Sequence, residues 1–515
     1  MSATQDGRGG GVVRPASVVE SFVRNAERAP DGLCLRFEGE DWSYGRLRGR
    51  AENLAAALAA TGLQPGERVA LFLENCPDLL AAYLGAHLAG GVVVPVNTQY
   101  RRVELGHIFA DAGVRLCLTD GGVRPELEVV RGNLPDLEAV VEVGEELEEF
   151  LRGAPTTHEP VLPGGDELAV IAYTSGTTGR SKGAMLLHRN LVANARAVCS
   201  AWRWSADDFL LLALPLFHTH GLMVGAHGTF FSGASAELHR KFAAAAVYDA
   251  LLEGRVTMFF GVPTMYSRLI REAEGRARRP KPLRLYVSGS APLSPEVFER
   301  FERLFGERIL ERYGMTETIM NLTNPYDGER RPGTVGGPFP GQEARVVDVE
   351  AREPLPPGEV GEIEVRGPHV FAGYWNRPDA TRESFGEDGW FRTGDLGFVS
   401  EGGYFTISGR TKELIISVGY NVYPREVEEV VEGCPGVAEV AVVGLPDPEF
   451  GERVVAAVVR ADPTLSAEEV VDYCRENLAG YKKPQEVAFV DALPRNALGK
   501  VLKHEVRKEL IEAEE

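Results

Sequence analysis

Short apolar runs rich in β-branched residues alternate through most of the chain with stretches whose apolar residues recur at helical spacing. Continuous apolar runs separated by helices are typical of parallel strands that are covered on both faces. The pattern therefore predicts an α/β fold built from layered parallel sheets. Strands are predicted at residues 69–73, 92–95, 116–119, 169–173, 258–262 and 285–288.

The longest apolar run, residues 79–96, raises the question of a membrane span. Two glycines and a histidine interrupt the run, and a proline closes it. A helix at 77–89 followed by a short buried strand at 92–94 explains this pattern better than a spanning helix, which needs about 20 consecutive apolar residues. We therefore expect no membrane span.

The pattern changes from about residue 346 onward. Strands at 361–367, 390–394 and 404–407 are separated by turns that contain Gly and Pro. We expect a smaller β-rich subdomain at about 340–409.

A charged turn, Arg410-Thr411-Lys412-Glu413, then leads into a stretch of α+β pattern. We place the domain boundary at this turn, which gives a large N-terminal domain at 1–409 and a small C-terminal domain at 410–515. Within the small domain the pattern predicts helices at 424–432 and 467–478, and strands at 437–443, 453–459 and 486–489.

The formal net charge of −20 over 515 residues narrows the range of partners. Non-specific nucleic-acid binding needs clustered Lys and Arg, so no nucleic-acid partner is expected. An acidic surface keeps a protein soluble and fits a cytoplasmic location. Residues 1–12 are Gly-rich and polar and lack the apolar segment of a signal peptide, so they are expected to form a frayed terminus. The sequence does not decide between a monomer and a homo-oligomer.

The cysteines are scattered and include no C-x-x-C pair, which predicts reduced, mostly buried thiols rather than disulfides or a zinc site. They are Cys34, Cys76, Cys117, Cys199, Cys434 and Cys474.

Residues 173–183, with the sequence YTSGTTGRSKG, directly follow an apolar strand. Glycines let backbone N–H groups approach phosphate oxygens, hydroxyls donate hydrogen bonds, and Arg180 and Lys182 neutralise charge. The composition alone would also suit a flexible, solvated loop. The two cations so close to a buried strand favour a polyphosphate site. The spacing differs from that of a Walker A loop.

Residues 214–221, with the sequence LPLFHTHG, carry His218 and His220 two positions apart. If this segment is extended, the imidazole rings of both histidines could face one metal ion. No Cys, Asp or Glu nearby completes a ligand set, however. For His218 a structural role is therefore as well supported as a functional one.

The segment Ser288-Gly289-Ser290-Ala291-Pro292 ends a predicted strand. Ligands bind at the carboxyl edge of parallel sheets, and a glycine there allows a flat ring to approach closely. The same residues would also suit an ordinary turn between a strand and a helix.

Two later segments, 311–318 (ERYGMTET) and 390–395 (WFRTGD), contain groups suited to a nucleotide. An aromatic ring can stack on adenine, and a hydroxyl can contact a phosphate. A carboxylate can bind Mg²⁺, and Asp395 could accept two hydrogen bonds from ribose hydroxyls. Either segment alone would more often be a loop or a turn.

Taken together, these segments closely resemble the ordered motifs of the adenylate-forming superfamily, which comprises acyl-CoA synthetases, luciferases and peptide-synthetase adenylation domains. The resemblance extends over nearly the whole chain and includes five motifs in order. It implies a large N-terminal domain of parallel αβ-layered sheets with a small β-rich subdomain, followed by a smaller, mobile α+β C-terminal domain.

The resemblance also implies roles for individual residues. It assigns catalysis to Lys500, Glu317, Thr316 and Lys182, and it makes Glu317 the Mg²⁺ ligand. The residues that it implies for binding ATP and AMP are Thr174, Ser175, Gly176, Thr177, Thr178, Gly179, Lys182, Ser290, Ala291, Pro292, Glu311, Arg312, Tyr313, Gly314, Met315, Thr316, Asp395, Arg410 and Lys500.

For the other two substrates the implied residues are fewer. Thr219, His220, Ser288 and Met315 are expected to line the acyl pocket. Lys412 matches the hinge about which the small domain rotates, and the strip with Ser417, Gly419 and Tyr420 is expected to contact the pantetheine arm of coenzyme A.

The activity implied is that of an ATP-dependent carboxylate–CoA ligase, which needs Mg²⁺. A carboxylate attacks the α-phosphate of ATP, pyrophosphate leaves, and the mixed anhydride then passes its acyl group to a thiol. Catalysis would consist largely of positioning and charge stabilisation.

The stretch 311–336 looks most like the malonyl-CoA synthetases within this superfamily. A dicarboxylate needs a buried cation for its second carboxylate, because an unpaired buried charge is very costly. Arg284 and His220 are the candidates. Arg284 lies four residues, or about 13 Å, before the ligand-binding end of its strand, so it would equally well cap the start of that strand at the surface. An exposed Arg284 would favour an aliphatic monocarboxylate.

Other functions remain open to different degrees. A short- or medium-chain fatty acid–CoA ligase and a stand-alone adenylation enzyme that loads a carrier protein share the motifs of the first half-reaction. A non-catalytic nucleotide-binding protein of this fold would be expected to lack Glu317 or Lys500, and both are present.

Overall fold

The computed structural model describes residues 15–154, 159–174, 181–417, 420–447, 451–478, 480–496 and 499–514. Its strands are β1 Leu33–Phe37, β2 Glu40–Ser43, β3 Arg68–Phe72, β4 Val92–Pro95, β5 Val114–Thr119, β6 Ala139–Glu142, β7 Leu168–Thr174, β8 Lys182–Leu187, β9 Phe209–Leu212, β10 Ser235–Leu238, β11 Met258–Gly261, β12 Leu285–Ser288, β13 Ile309–Tyr313, β14 Leu322–Thr323, β15 Gly337–Pro338, β16 Glu343–Val347, β17 Gly361–Arg366, β18 Gly373–Tyr374, β19 Phe391–Val399, β20 Phe405–Arg410, β21 Ile415–Ser417, β22 Tyr420–Val422, β23 Val437–Asp447, β24 Gly451–Arg460 and β25 Glu486–Phe489.

The helices are α1 Val18–Arg28, α2 Tyr44–Ala60, α3 Pro77–Leu88, α4 Arg102–Ala112, α5 Arg124–Arg131, α6 Glu145–Arg152, α7 His188–Ala201, α8 His227–Ser232, α9 Ala244–Glu253, α10 Pro263–Glu274, α11 Pro295–Phe305, α12 Pro378–Glu383, α13 Pro424–Glu432, α14 Ala467–Asn477 and α15 Lys503–Glu514. A π-helix spans His220–Ala226, and a 3₁₀ turn spans Thr411–Glu413.

Two large sheets form the core of the N-terminal part. The first has the strand order β18-β8-β7-β4-β3-β5-β6, in which the run from β7 to β6 is parallel. The second has the order β15-β14-β13-β12-β11-β9-β10-β1-β2 and is parallel from β13 to β1. The predicted layered parallel sheets are therefore confirmed, and the fold is α/β.

The long apolar run at 79–96 is the helix α3 followed by the strand β4, as the sequence predicts. Helix α3 begins with a proline at its first position, where the missing N–H costs no helical hydrogen bond. Every residue of α3 except Asp78 is buried, which explains why the run is apolar nearly all round. Among the described residues, no helix is both long and apolar enough to cross a membrane.

The later part of the chain is built from smaller sheets. Strands β16, β17, β19 and β20 form an antiparallel sheet, in agreement with the predicted β-rich segment. The C-terminal part contains the sheet β22-β21-β24-β23, with β25 parallel to β24. The predicted helix at 424–432 and the strand at 486–489 are confirmed at both ends.

A group of buried histidines lies between helices of the N-terminal part, away from the motifs singled out above. The rings of His87 and His188 have centroids 4.7 Å apart, and His227 Nε2 lies 2.8 Å from the hydroxyl of Tyr83. Burial lowers the pKa of His188 to about 4 and that of His227 to about 3. Both rings are therefore neutral in the folded protein at neutral pH.

Because these histidines are buried and neutral, we predict that the folded protein becomes less stable at mildly acidic pH. The unfolded chain takes up protons near pH 6.5 whereas folded His188 does so only near pH 4, so the unfolded state binds more protons between these values. At pH 5 each such histidine costs about 2 kcal/mol of folding free energy relative to pH 7. We expect His188→Asn to lose less stability than the wild type between pH 7 and pH 5, as measured by urea unfolding.

The matched control is His504→Asn, because the side chain of His504 is half exposed on α15. It should behave as the wild type does. An identical loss of stability in His188→Asn and the wild type would contradict the prediction.

Candidate active site

The carboxylate of Asp395 lies where three strands meet. Strand register places Asp395 opposite Arg410 on β19 and β20, and Arg410 Nε lies 2.9 Å from Asp395 Oδ1. The hydroxyl of Tyr313, at the end of β13, donates a hydrogen bond to Asp395 Oδ2. The Asp395 carboxylate raises the pKa of Arg410, which stays charged. The residues predicted to contact ribose and adenine therefore lie together.

The backbone around Asp395 is fixed by its neighbours. Thr393 Oγ1 donates a 2.6 Å hydrogen bond to the carbonyl of Ile363 and accepts one of 3.0 Å from the N–H of Asp395. Between them, Gly394 has a φ of +70°, a conformation that favours glycine. The carboxylate is thus positioned by the fold itself.

Glu317 lies in a tight turn that follows β13. The carbonyl of Met315 accepts hydrogen bonds from the N–H of Ile319 at 2.7 Å and from that of Thr318 at 3.2 Å. Gly314 is required by this turn, because a Cβ atom there would lie 2.0 Å from the carbonyl oxygen of Ile319. Thr316 is half-buried in the same turn, and Glu317 is buried. Burial raises the pKa of Glu317.

Tyr374 connects Glu317 to the other large sheet. Its hydroxyl donates a 2.8 Å hydrogen bond to Glu317 Oε1. It lies on β18 beside β8, the strand that begins with Lys182, and Lys182 Nζ is 5.0 Å from the centroid of its ring. Sequence reasoning missed Tyr374, because a tyrosine next to Gly373 looks like an ordinary turn residue.

Helix α4 holds both sides of the predicted phosphate loop. The hydroxyl of Tyr173 donates to Asp111 Oδ2 at 2.8 Å, and His107 Nε2 lies 2.8 Å from the carbonyl of Ser181. Thr174 pairs with Lys182 in antiparallel register, so the two sides of the loop are adjacent. The predicted phosphate-binding residues between them lie outside the described residues; they are Ser175, Gly176, Thr177, Thr178 and Gly179.

The loop that carries Lys500 contacts the large N-terminal part. Gly499 has a φ of +79°, and a Cβ atom on it would lie 3.1 Å from Thr264 Oγ1 on α10. Burial lowers the pKa of Lys500, and the nearby guanidinium of Arg410 lowers it further, while Asp395 acts in the opposite direction. The structure therefore brings Lys500 to the Asp395–Arg410 pair.

The predicted hinge and pantetheine strip are described only in part. Lys412 lies in the 3₁₀ turn at Thr411–Glu413, between β20 and β21. Ser417 is fully buried at the end of β21, and in the described part of the chain its hydroxyl has no hydrogen-bond partner. Tyr420 begins β22 and pairs with Ser417, while Gly419 lies outside the described residues.

The strip predicted to border adenine is anchored by a carboxyl group. Glu311 Oε1 accepts a 2.9 Å hydrogen bond from the N–H of Leu293, directly after Ser290, Ala291 and Pro292. Burial raises the pKa of Glu311 to about 8. Ser290 has a φ of +71°, so the strip turns sharply at this residue. Glu311 thus ties the strip to β13.

The predicted acyl-pocket residues Thr219 and His220 are both buried, and His220 begins the π-helix. The ring of His220 stacks on Phe260, with centroids 6.3 Å apart and an interplanar angle of 19°. Neither ring nitrogen has a hydrogen-bond partner among the described residues. Burial lowers the pKa of His220 well below its usual value, so the ring is neutral. Met315 Sδ lies 3.9 Å from the hydroxyl of Tyr313, and Ser288 is fully buried beside Glu311.

The assignment of Arg284 to the acyl pocket is wrong. Its guanidinium makes two hydrogen bonds to Asp208, of 2.5 Å to Oδ1 and 2.7 Å to Oδ2, and a third of 2.9 Å to the carbonyl of Trp202. It lies at the start of β12, at the opposite end of the strand from the ligand-binding edge. All of its charge is therefore compensated by Asp208.

Arg312 is a second buried arginine near the predicted acyl pocket. It is 3% exposed, and in the described part of the chain its Nε and Nη2 have no hydrogen-bond partner and it forms no ion pair. Its guanidinium lies against Gly289, where a Cβ atom would be 2.5 Å from Arg312 Cζ. Burial lowers its pKa to about 9, so it remains charged at neutral pH.

Arg312 also lies close to both histidines of the 214–221 segment. Burial is the main cause that lowers the pKa of His218 and of His220, and the positive charge of Arg312 lowers both further. The positive charge of Arg312 therefore acts on the predicted acyl-pocket residue His220. From the sequence, Arg312 is predicted only for the nucleotide site.

Comparisons with known proteins agree with this geometry. The AMP-binding enzyme family matches residues 22–375, and the AMP-binding enzyme C-terminal domain matches residues 426–500. Feruloyl-CoA synthase of Amycolatopsis sp is 38% identical over 493 residues, which cover 94% of this chain and 97% of that protein. Malonate–CoA ligase of Arabidopsis thaliana is 32% identical, with 96% of this chain and 88% of that protein covered.

A comparison with solved structures also finds similarity along nearly the whole chain. The ATP-bound crystal structure of MatB from Rhodopseudomonas palustris is 40% identical and superposes with a TM-score of 0.91, covering 97% of this chain and 100% of that chain. The apo crystal structure of the same protein gives a TM-score of 0.79. The arrangement of this chain is thus more similar to the ATP-bound form than to the apo form.

The chain belongs to the AMP-binding enzyme family. Within that family it is an AMP-forming acid–thiol ligase that uses ATP and coenzyme A, as the relatives across its whole length are. The acids named for the relatives differ, from feruloyl to malonate, so the acid is a separate question.

The corrected role of Arg284 can be tested directly. Arg284→Met leaves the buried carboxylate of Asp208 without its cation, which should destabilise the fold by about 3 kcal/mol. Because Arg284 lies away from the acyl pocket, the KM for the acid should not change. Thermal unfolding and steady-state kinetics measure the two effects.

The double variant Arg284→Met, Asp208→Asn removes both charges and should recover part of the lost stability. If Arg284→Met instead raises the KM for the acid strongly and leaves the stability unchanged, Arg284 contacts the substrate after all.

Proposed function

We propose that the protein converts a short dicarboxylate, malonate or a close homologue, to its CoA thioester through an acyl-adenylate. The observation that carries this proposal is Arg312, a buried guanidinium without an acidic partner among the described residues. A buried charge is costly unless it is paired. The second carboxylate of a dicarboxylate would supply that pair, and a guanidinium binds a carboxylate well in a two-point geometry.

The names of the relatives include a dicarboxylate and a monocarboxylate. Malonate–CoA ligase is the name of one relative along nearly the whole chain, and MatB is one of the similar solved structures. Feruloyl-CoA synthase is the name of another. A feruloyl group would bring no anion to the guanidinium of Arg312, which would then stay buried and unpaired.

The first half-reaction follows from the residues that the fold brings together. Asp395 accepts hydrogen bonds from the ribose hydroxyls, Tyr313 borders the adenine, and Thr316 and Lys182 bind phosphate oxygens. A carboxylate oxygen of the acid attacks the α-phosphorus, the bond to the β-phosphate oxygen breaks, and pyrophosphate leaves. Lys500 holds the attacking carboxylate and the α-phosphate, so that the charge that develops between them is stabilised.

Glu317 is the residue that would hold Mg²⁺. Its buried carboxylate is a hard oxygen donor held by Tyr374, and its raised pKa shows that it lacks a compensating positive charge strong enough to offset burial. The described residues contain no group of three His, Cys, Asp or Glu able to hold a metal. This fits Mg²⁺, which takes one or two carboxylates and completes its shell with phosphate oxygens and water. When bound, the ion would neutralise phosphate charge.

In the second half-reaction the thiol of coenzyme A attacks the acyl carbonyl and AMP leaves. Lys500 and the strip at Ser417 and Tyr420 lie on the same C-terminal part, so one rotation about Lys412 would withdraw the first and present the second. The higher similarity to the ATP-bound than to the apo form of MatB supports the assignment of the described arrangement to adenylation.

A substrate panel tests the acid. Pyrophosphate release with Mg-ATP and coenzyme A should be strong with malonate and methylmalonate, and weak with acetate, butyrate, octanoate, benzoate and ferulate. Arg312→Met should lower kcat/KM for malonate about 100-fold, which corresponds to the loss of one charge-assisted pair, and should affect butyrate far less.

The control variant is Arg330→Met, because Arg330 is also a buried arginine but bonds to the backbone carbonyls of Arg308 and Tyr326. It should keep the preference for malonate. If the wild-type enzyme uses butyrate or ferulate but not malonate, the reaction class stands and the proposed dicarboxylate substrate is wrong.

The role of Lys500 has its own test. Lys500→Ala should abolish the exchange of pyrophosphate into ATP, because the lysine stabilises the charge that develops in adenylation. It should leave the thiolysis of a supplied acyl-adenylate close to the wild-type rate. Arg495→Ala is a suitable control on the same loop, since Arg495 pairs with Glu439 within the C-terminal part. An equal loss of both half-reactions would disprove this role.

A further inference from the structure

Three large aromatic side chains form a wall behind His220. Phe260 packs edge-on against Trp202, with centroids 5.3 Å apart, and against Trp204, with centroids 5.4 Å apart. Its other side stacks on the ring of His220. All three aromatic residues are buried. We call Trp202, Trp204 and Phe260 the aromatic wall.

The aromatic wall is also fixed next to Arg312. Strand register pairs Arg312 on β13 with Thr323 on β14, so their side chains are cross-strand neighbours. Trp202 Nε1 donates a 3.0 Å hydrogen bond to Thr323 Oγ1. The ring of Phe339 packs on the same indole, with centroids 5.7 Å apart. Trp202 therefore lies beside the cation that we assign to the second carboxylate, and it cannot turn away without losing this bond.

A groove lies on the outer side of Trp202. It has a volume of about 320 Å³ and is lined by Ala201, Thr323, Tyr326, Pro340 and Tyr404 among others. Ala201 precedes Trp202 in the chain, and Thr323 accepts its hydrogen bond. Successive contacts thus connect His220 through Phe260, Trp202 and Thr323 to the groove. The buried rings of Phe260 and Trp202 lie between His220 and this open surface.

We propose that Trp202 and Phe260 determine the largest acid that the enzyme accepts, and that Trp202 closes an exit from the acyl pocket into the groove. This proposal rests on the proposed dicarboxylate site. A malonate fits between Arg312 and the adenylating groups, and a bulky substituent on its C2 atom meets the aromatic wall. Removal of the indole opens the way from the acyl pocket to the groove, and the substituent extends into it.

The test uses malonates with C2 substituents of increasing size, namely methyl, ethyl and benzyl. The wild type should accept methylmalonate and discriminate at least 100-fold in kcat/KM against benzylmalonate. Trp202→Leu should reduce that discrimination at least 10-fold, and Phe260→Leu should reduce it for ethylmalonate. The measured quantity is the ratio of kcat/KM between the substituted and the plain malonate.

The ratio separates specificity from damage to the fold, because a merely destabilised enzyme loses activity on all acids equally. Phe259→Leu is the matched control. Phe259 is the neighbour of Phe260 on β11, but its ring packs on Tyr266 on the opposite face of the sheet. It should leave the ratio unchanged. A Trp202→Leu enzyme that is active on malonate with the wild-type ratio would overturn the proposal.

The same variants separate this proposal from the assignment of the acid. If the wild type ignores malonate and uses monocarboxylates, the dicarboxylate site is wrong, and the variants are then compared on butyrate, octanoate and ferulate. If Trp202→Leu and Phe260→Leu accept larger acids than the wild type does, and Phe259→Leu does not, the role of the aromatic wall in limiting acid size is upheld. A limit that stays the same in all three overturns it. If Trp202→Leu does not fold, Trp202→Phe and Phe260→Leu carry the same comparison.

Discussion

The almost fully buried carboxylate of Asp395 is held by Arg410 Nε at 2.9 Å and by the hydroxyl of Tyr313, and these contacts fix three strands relative to one another. Removing one member of such a buried pair would leave a buried charge without a partner. Each of the three residues therefore depends on the other two. Lys500 lies in the field of the same pair. The residues predicted to bind the nucleotide and Lys500 of the small C-terminal part therefore share one buried charge cluster.

Much of the fold could be read from the sequence where local signals agree. Helix α13 begins at Pro424 and ends before Gly433, and its bounds were predicted correctly because both residues are strong helix boundaries. The paired strands β23 and β24 are longer than the predicted 437–443 and 453–459. In the structure Pro446 pairs with Glu452 near the turn, where a missing N–H is tolerated.

The site was harder to predict than the fold, for physical reasons. Residues within one motif, such as Glu317 and Tyr313, can be found because the chemistry lies along the chain. The roles that we propose for Tyr374 and Arg312 depend on contacts with segments that are far away in sequence. Arg284 is a candidate in the sequence because a guanidinium binds a carboxylate at two points, but nothing in the sequence shows that Asp208, 76 residues earlier, already occupies its guanidinium. Uncompensated charge is a property of the folded molecule.

Gly499 has a consequence for how easily the enzyme can change state. The segment before Lys500 meets Thr264 of the large part through a glycine, so the contact there is backbone against a threonine side chain. No side chain of residue 499 is wedged into the opposite surface, and separation at this point does not require one to be pulled from a pocket. Such a contact at Gly499 would suit the rotation that we propose for the C-terminal part.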